Sequence, residues 1–120
     1  MVGGGAAEEA GVKIASVPFG TIDWSSVEAV RHPGEAGVAI WRTVQAGDIR
    51  IRVVEYSPGY RADHWCERGH ILYVLEGELI TELKDGSGHV LKAGMSYQVA
   101  EGVAPHRSSS RTGARLFIVD

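Results

Sequence analysis

From Val38 onward the chain reads as short apolar or alternating runs separated by turn-forming residues. The runs are "VAIWRTV", "IRIRVVEY", "RADHWC", "HILYVL", "LITEL", "HVLK", "SYQVA", "HRSSS" and "RLFIV". Between them stand "AGD", "SPGY", "ERG", "EGE", "KDGSG", "AGM", "EGVAP" and "RTGA". Ile49 to Arg52 alternate strictly between apolar and charged, the period-two mark of a half-buried strand. Gly, Pro or Asp-Gly punctuation recurs roughly every eight to ten residues, the spacing of an all-β sandwich or barrel. No helix-length periodic segment interrupts this pattern, and no repeat or linker divides it. Glu76-Gly77-Glu78 reads as a turn between two strands, and "LFIVD" as a strand that runs to the last residue.

The first third is less regular. Residues 1–11 are small, Gly-rich and polar, and are expected to be disordered. "VKIASVPF" reads as an extended piece or edge strand, since Pro18 has no N–H to give to a ladder. In "SSVEAV", Ser25 and Glu28 have the spacing of a capping box, and Pro33-Gly34 limit any helix there to two turns.

Composition narrows the function classes. A chain of 120 residues, 44% of them hydrophobic, suits one domain with one core. A net charge of −3 argues against nucleic acid as a partner. No apolar run is long enough to span a membrane, and the N-terminus lacks the basic and apolar regions of a signal peptide. A single cysteine cannot form an intrachain disulfide. Together these features point to a cytoplasmic setting.

The chemistry concentrates in "DHWCERGHIL". If "ERG" is a three-residue hairpin loop closed by Gly69 in the left-handed region, Cys66 and His70 oppose each other across the hairpin. His64, two residues earlier, then shares their face, and Trp65 points away. Two imidazoles and a thiol on one face suit zinc, ferrous iron, nickel or copper. His106, after a turn and opening another strand, is the candidate fourth ligand. Each residue also has an ordinary reading, as a hydrogen-bonded histidine or a small buried hydrophobe. His32, before Pro33, and His89, after the "KDGSG" turn, fall outside the set, and His89 is expected to be exposed.

These residues resemble the two motifs of the cupin superfamily. Gly59, His64, Cys66, His70 and Gly77 follow the first motif, G-x5-H-x-H-x3,4-E-x6-G, with the opening gap one shorter. Gly94, Ala100, Gly102, His106 and Ser110 follow the second, G-x5-P-x-G-x2-H-x3-N, with one residue added before the histidine. The string "ADHWCERGH…YVLEGEL…GMSYQVA…PHRSS…RLFIVD" is similar to the small single-domain bacterial cupins of the DHCW-motif type. The resemblance implies an all-β, single-domain jelly-roll β-barrel over residues 12–120. Residues 12–46 would form an N-terminal arm and the first strands, and 47–120 the barrel. It further implies an internal small-molecule pocket, a bound metal and a homodimer. By position, His64, Cys66, His70 and His106 occupy the metal-ligand places.

The departures from the motif carry chemistry. Cysteine stands where the second histidine is usual, and histidine where glutamate is usual. A thiolate among three imidazoles favours a divalent transition metal such as zinc, iron, nickel or copper over magnesium or manganese. Four protein ligands can close a structural zinc site, whereas an octahedral ion keeps positions open for a substrate or dioxygen. The functional expectation is a metal-binding cupin, and, if it is an enzyme, an oxygenase or isomerase type. The rival is a non-enzymatic ligand-binding or redox-sensing domain with a structural metal or none. Of Tyr97 and Gln98, alternation sends only one inward. Asp63 and Arg107 are expected to point away from the ligands. Arg50 and Arg52, on one strand face, are expected to lie on a solvated or dimer-facing edge. Trp24, Trp41 and Trp65 read as core or interface anchors.

Overall fold

The computed structural model describes residues 14–120. The expectation for residues 1–11 and the start of "VKIASVPF" lie outside them. Nine strands are present among the described residues: β1 (Val30–Pro33), β2 (Val38–Ala46), β3 (Ile49–Tyr56), β4 (Tyr60–Arg61), β5 (His70–Leu83), β6 (Gly88–Lys92), β7 (Ser96–Val99), β8 (His106–Ser110) and β9 (Ala114–Val119). All pair antiparallel along the path β1-β2-β3-β9-β5-β8-β4, with β6 and β7 also on β5. The result is a curled antiparallel jelly-roll barrel. No helix among the described residues is long and apolar enough to cross a membrane.

The strands form where β-branched and aromatic residues cluster, because such side chains pack well on a pleated surface. In β9 the alternation is complete: Ala114, Leu116 and Ile118 are buried and the residues between them only partly so. They meet Leu72 and Val74 of β5, with Val54 of β3, Leu79 and Leu91, in one core inside the barrel. The outer face of β9 is partly covered too, since Trp24 meets Phe117 edge-on with ring centroids 6.4 Å apart.

Two local expectations are corrected. Residues 76–78 are not a chain reversal. They lie within the continuous fourteen-residue β5, which pairs with β9 and β7 in its first half and with β8 and β6 in its second. A register shift between Val74 and Glu76 and a left-handed Gly77 (φ 77°) let the strand turn from one wall into the other. A strand bends at such a bulge without leaving the ladder, so the turn signal marks a bend here. "SSVEAV" forms no α-helix. A single 3-10 turn spans Trp24–Ser26, and its cap is Asp23, which accepts the Ser25 N–H at 3.1 Å and the Ser25 hydroxyl at 2.7 Å. Asp is an equally good cap, and it sits where the first turn begins. The described part of "VKIASVPF" joins no ladder.

Gly77 offers a test of the bend. A Cβ there would collide with the Gly113 carbonyl oxygen, whereas Gly86, also left-handed (φ 94°), has open space around it. Gly86→Ala should cost about 1 kcal/mol from backbone strain alone. Gly77→Ala should cost at least about twice that, because the clash adds to the strain. Paired thermal or urea denaturation checks this, and equal losses would contradict it.

Candidate functional site

The inward residues at one end of the barrel surround a cavity of about 270 Å³. Its lining includes all four candidate ligands, His64, Cys66, His70 and His106, together with Arg50 and Arg52. A smaller cavity of about 200 Å³ also touches His106 and is lined by Tyr97 and Gln98.

The elements explain each position. His70 opens β5 two residues before buried Leu72, so period two turns it inward. His106 opens β8 and is 2% exposed. Its Nδ1 lies 2.8 Å from the Ala104 carbonyl, which as acceptor fixes Nδ1 as the protonated nitrogen and leaves Nε2 for the cavity side. The His70 and His106 rings meet edge to face, centroids 4.8 Å apart. Tyr97 of β7 points the same way, and its hydroxyl is hydrogen-bonded to His70 Nε2 at 2.7 Å. Gln98, the next residue, is exposed.

The expected hairpin is corrected. Cys66 does not oppose His70. It forms an isolated bridge with His106, in which Cys66 N–H donates to the His106 carbonyl at 2.8 Å and His106 N–H returns a bond at 2.9 Å. Gly69 is not left-handed, so no hairpin closes there. Its N–H donates instead to the Glu101 carboxylate at 2.7 Å, and Gly102 N–H donates to the Glu67 carbonyl at 2.8 Å. The "ERG" segment is tied to the β7–β8 loop rather than folded on itself. Cys66 and His106 come together by this different route.

His64 stands apart from the other three. Its side chain is 73% exposed at the rim, and Nδ1 contacts the Asp63 carboxylate at 2.7 Å. As the side chains are oriented, no three His, Cys, Asp or Glu groups among the described residues stand close enough to hold an ion. The donor types nevertheless fit one. His70 Nδ1 and His106 Nε2 are both buried without a hydrogen-bond partner. Orphaned buried nitrogens are costly, and a ligand or ion is one way to satisfy them.

The electrostatics separate the groups. Burial pulls the His70 pKa down to about 4, with the charges of His106 and Arg52 adding to the effect, so the ring is neutral at pH 7. The Cys66 thiol and the His106 imidazole influence each other although no formed hydrogen bond joins them: the thiol raises the imidazole, and the imidazole lowers the thiol below its ordinary value, each against the opposing effect of burial.

The larger correction concerns Arg50 and Arg52. They face the barrel interior, not a solvated edge, and Arg52 is only 6% exposed. Both meet Asp120, whose side chain is 0% exposed. Arg50 Nε and Nη2 donate to its two carboxylate oxygens at 2.9 Å each, and Arg52 Nη2 donates to Oδ2 at 2.8 Å. Arg52 also lies over the Trp41 ring at 4.5 Å, so Trp41 both packs against the core and walls the cavity. Asp120 was legible as the next inward place after Leu116 and Ile118. The apolar Ile49 and Ile51 drew attention to the wrong face of β3. Arg107, expected to point away, lines the cavity while bonded to Glu82 at 3.0 Å and stacked on Trp65 at 4.6 Å. His32 also leaves the irregular region expected for it, because it lies on β1 against Trp41 with centroids 4.0 Å apart.

No family model and no curated protein matches the chain. Solved structures do. A predicted oxalate decarboxylase from Thermotoga maritima superposes with a TM-score of 0.71 at 17% identity, covering 82% of this chain and 96% of that one. An RmlC-like cupin from Shewanella frigidimarina gives 0.66 at 20% identity, with 88% and 92% covered. The fold is the cupin fold. A third cupin-like neighbour, Fe(II)-HppE with its alternative substrate (S)-1-HPP, gives 0.70 at 16% identity over 85% of this chain and 60% of that one.

The buried charge cluster predicts a pH effect. Burial alone would raise the Asp120 pKa, but hydrogen bonds from Arg50 and the two guanidinium charges outweigh it and hold the carboxyl below its ordinary value. A depressed folded pKa stabilises the fold above the unfolded value, about 3.9, and that contribution is lost as pH falls through the folded pKa. Asp120→Asn should therefore cost about 3–5 kcal/mol near pH 7, since it leaves buried guanidinium unpaired. The loss should shrink as the wild type is acidified below about pH 4. Urea denaturation of both proteins between pH 7 and pH 3 checks this, and a pH-independent difference would contradict it.

Proposed function

We propose that this cupin-fold chain is a metal-binding protein whose internal cavity takes a small organic molecule. The observation that carries the reading is the pair of partnerless buried nitrogens, His70 Nδ1 and His106 Nε2, beside the Cys66 thiol in one cavity. Cys66, His70 and His106 would hold the ion, with His64 joining from the rim. Three imidazoles and a sulfur suit zinc, iron, nickel or copper. Fe(II) in one protein of the same fold is consistent with this choice. The assignment of residues rests on this chain's own side chains.

Bound there, the ion would supply Lewis-acid or dioxygen chemistry, the basis for an oxygenase or isomerase type of activity. The other tasks fall to the chain's own groups. The Ala104 carbonyl orients His106 by accepting its Nδ1 proton. Tyr97 restrains His70 through its hydroxyl. Trp41 and Tyr56 give the cavity apolar wall, and Tyr60 stacks on Tyr56 at 4.2 Å to hold it in place.

Elemental analysis of protein purified without chelators or nickel resin tests this reading. Near-stoichiometric transition metal is expected in the wild type. His106→Ala and Cys66→Ala should each weaken metal affinity by at least about tenfold, since each removes a proposed ligand rather than an outer-shell partner. Unchanged metal content in both variants would refute the assigned ligands. Absence of metal from the wild type, even after reconstitution, would favour a metal-free ligand-binding domain.

A further inference from the structure

We infer that Arg52 is the anchor of a carboxylate subsite in the cavity, so that the small molecule is an organic monoanion. The inference rests on reading the cavity as a small-molecule site, and it does not need the metal.

Three observations support it. First, the charge is unbalanced. Two guanidiniums, Arg50 and Arg52, share a single carboxylate side chain, Asp120. Arg68 and Arg107 add to the cavity lining, which contains no Asp or Glu among the described residues. Arg107 is neutralised by Glu82 and Arg68 is exposed to solvent, so the buried excess concentrates around the Arg50–Arg52 pair. Second, Arg52 is buried with work undone. Its Nε–H is buried and has no acceptor, although Nη2 is bonded to Asp120. Burial opposes its charge and lowers its pKa, with Asp120 countering in part. A buried guanidinium left short of acceptors favours an incoming anion. Third, the guanidinium is held in place. Trp41 lies against it at 4.5 Å and Asp120 grips one edge, so little freedom is lost when an anion binds.

The class of anion follows from charge and size. The one uncompensated buried guanidinium of the Arg50–Arg52 pair matches one carboxylate better than a doubly charged phosphate. About 270 Å³ lies just below the range of drug-sized pockets, roughly 300–1,000 Å³. The aromatic walls, Trp41 and Tyr56, favour an apolar body behind the carboxylate.

The test uses propionate and benzoate, each beside its primary amide, with inorganic phosphate as a third probe. Binding is read by calorimetry and by thermal shift on metal-loaded and on chelator-treated protein. At least one carboxylate should bind both forms, its amide about tenfold more weakly or worse, because the amide lacks the charge that meets Arg52. Arg52→Gln should weaken the carboxylate about tenfold or more and leave the amide unchanged. Arg52→Lys should recover only part of the loss, since lysine keeps the charge without the fork. Equal binding of acid and amide, binding of neither, tighter binding of phosphate, or carboxylate binding only with metal present would each overturn the assignment. If Arg52→Gln fails to fold, the acid-to-amide ratio on the wild type decides. Metal content measured on the same samples keeps this outcome separate from that of the metal-site reading.

Discussion

A fourteen-residue strand cannot stay flat in so small a barrel, and β5 is that strand. It carries the ladders of β9 and β7 at one end and of β8 and β6 at the other, so both walls are built on it. Twist alone does not turn a strand from one wall into another; a bulge or glycine kink is needed. The shift at Val74/Glu76 and the left-handed Gly77 supply it. Because the bend preserves pairing on both sides, it also sets register. His70 at the start of β5 faces inward beside Tyr97, and Leu83 at its end pairs with His106. The two buried imidazoles meet because one strand curls far enough to bring its two ends around the same cavity.

The interior divides into two chemistries along that strand. Leu72, Val74, Leu79, Leu91 and Leu116 fill one region with apolar side chains and need no partners. The other region holds Arg50, Arg52, His70 and His106, with Asp120 bonded behind the two arginines, and each polar atom there must be paired or left for a ligand. Arginine and carboxylate inside a barrel do little for stability by themselves, since desolvation offsets most of their attraction. What the triad achieves is position. Asp120 spans two arginines on one strand face and thereby fixes the cavity floor.

Much of this was legible in the residues. Strand-and-turn punctuation from Val38 onward gave the all-β class, and the glycine and histidine spacing pointed to the same barrel that the structural neighbours share. Local signals failed where a residue type has two uses. "EGE" has turn chemistry, yet Gly77 serves a bend inside a ladder. Gly69 has the right place for a hairpin, yet it permits close passage of the β7–β8 loop. In "IRIR" the alternation was correct and the inward face was misjudged, because a charged pair is ordinarily the wet face of a strand. Only the long-range register against β9, which places Asp120 beside Arg50, reverses that rule. Contacts of that kind join residues seventy positions apart and leave no local mark.

The candidate site inherits its precision from the same register. Its residues come from separate segments: the loop after β4, the first residues of β5 and β8, and the inner face of β3. Side-chain direction on a strand has a period of two, so a one-residue slip of β8 against β5 would send His106 outward. Ser110, at the far end of β8, resists such a slip. Its hydroxyl donates to the Glu78 carbonyl at 2.6 Å and accepts the Gly113 N–H at 3.0 Å, locking β8 to β5 and to the β8–β9 turn. The Cys66–His106 bridge does the same at the other end. The second motif's serine thus acts on geometry rather than chemistry: it holds the strand whose first residue is the most buried histidine of the site.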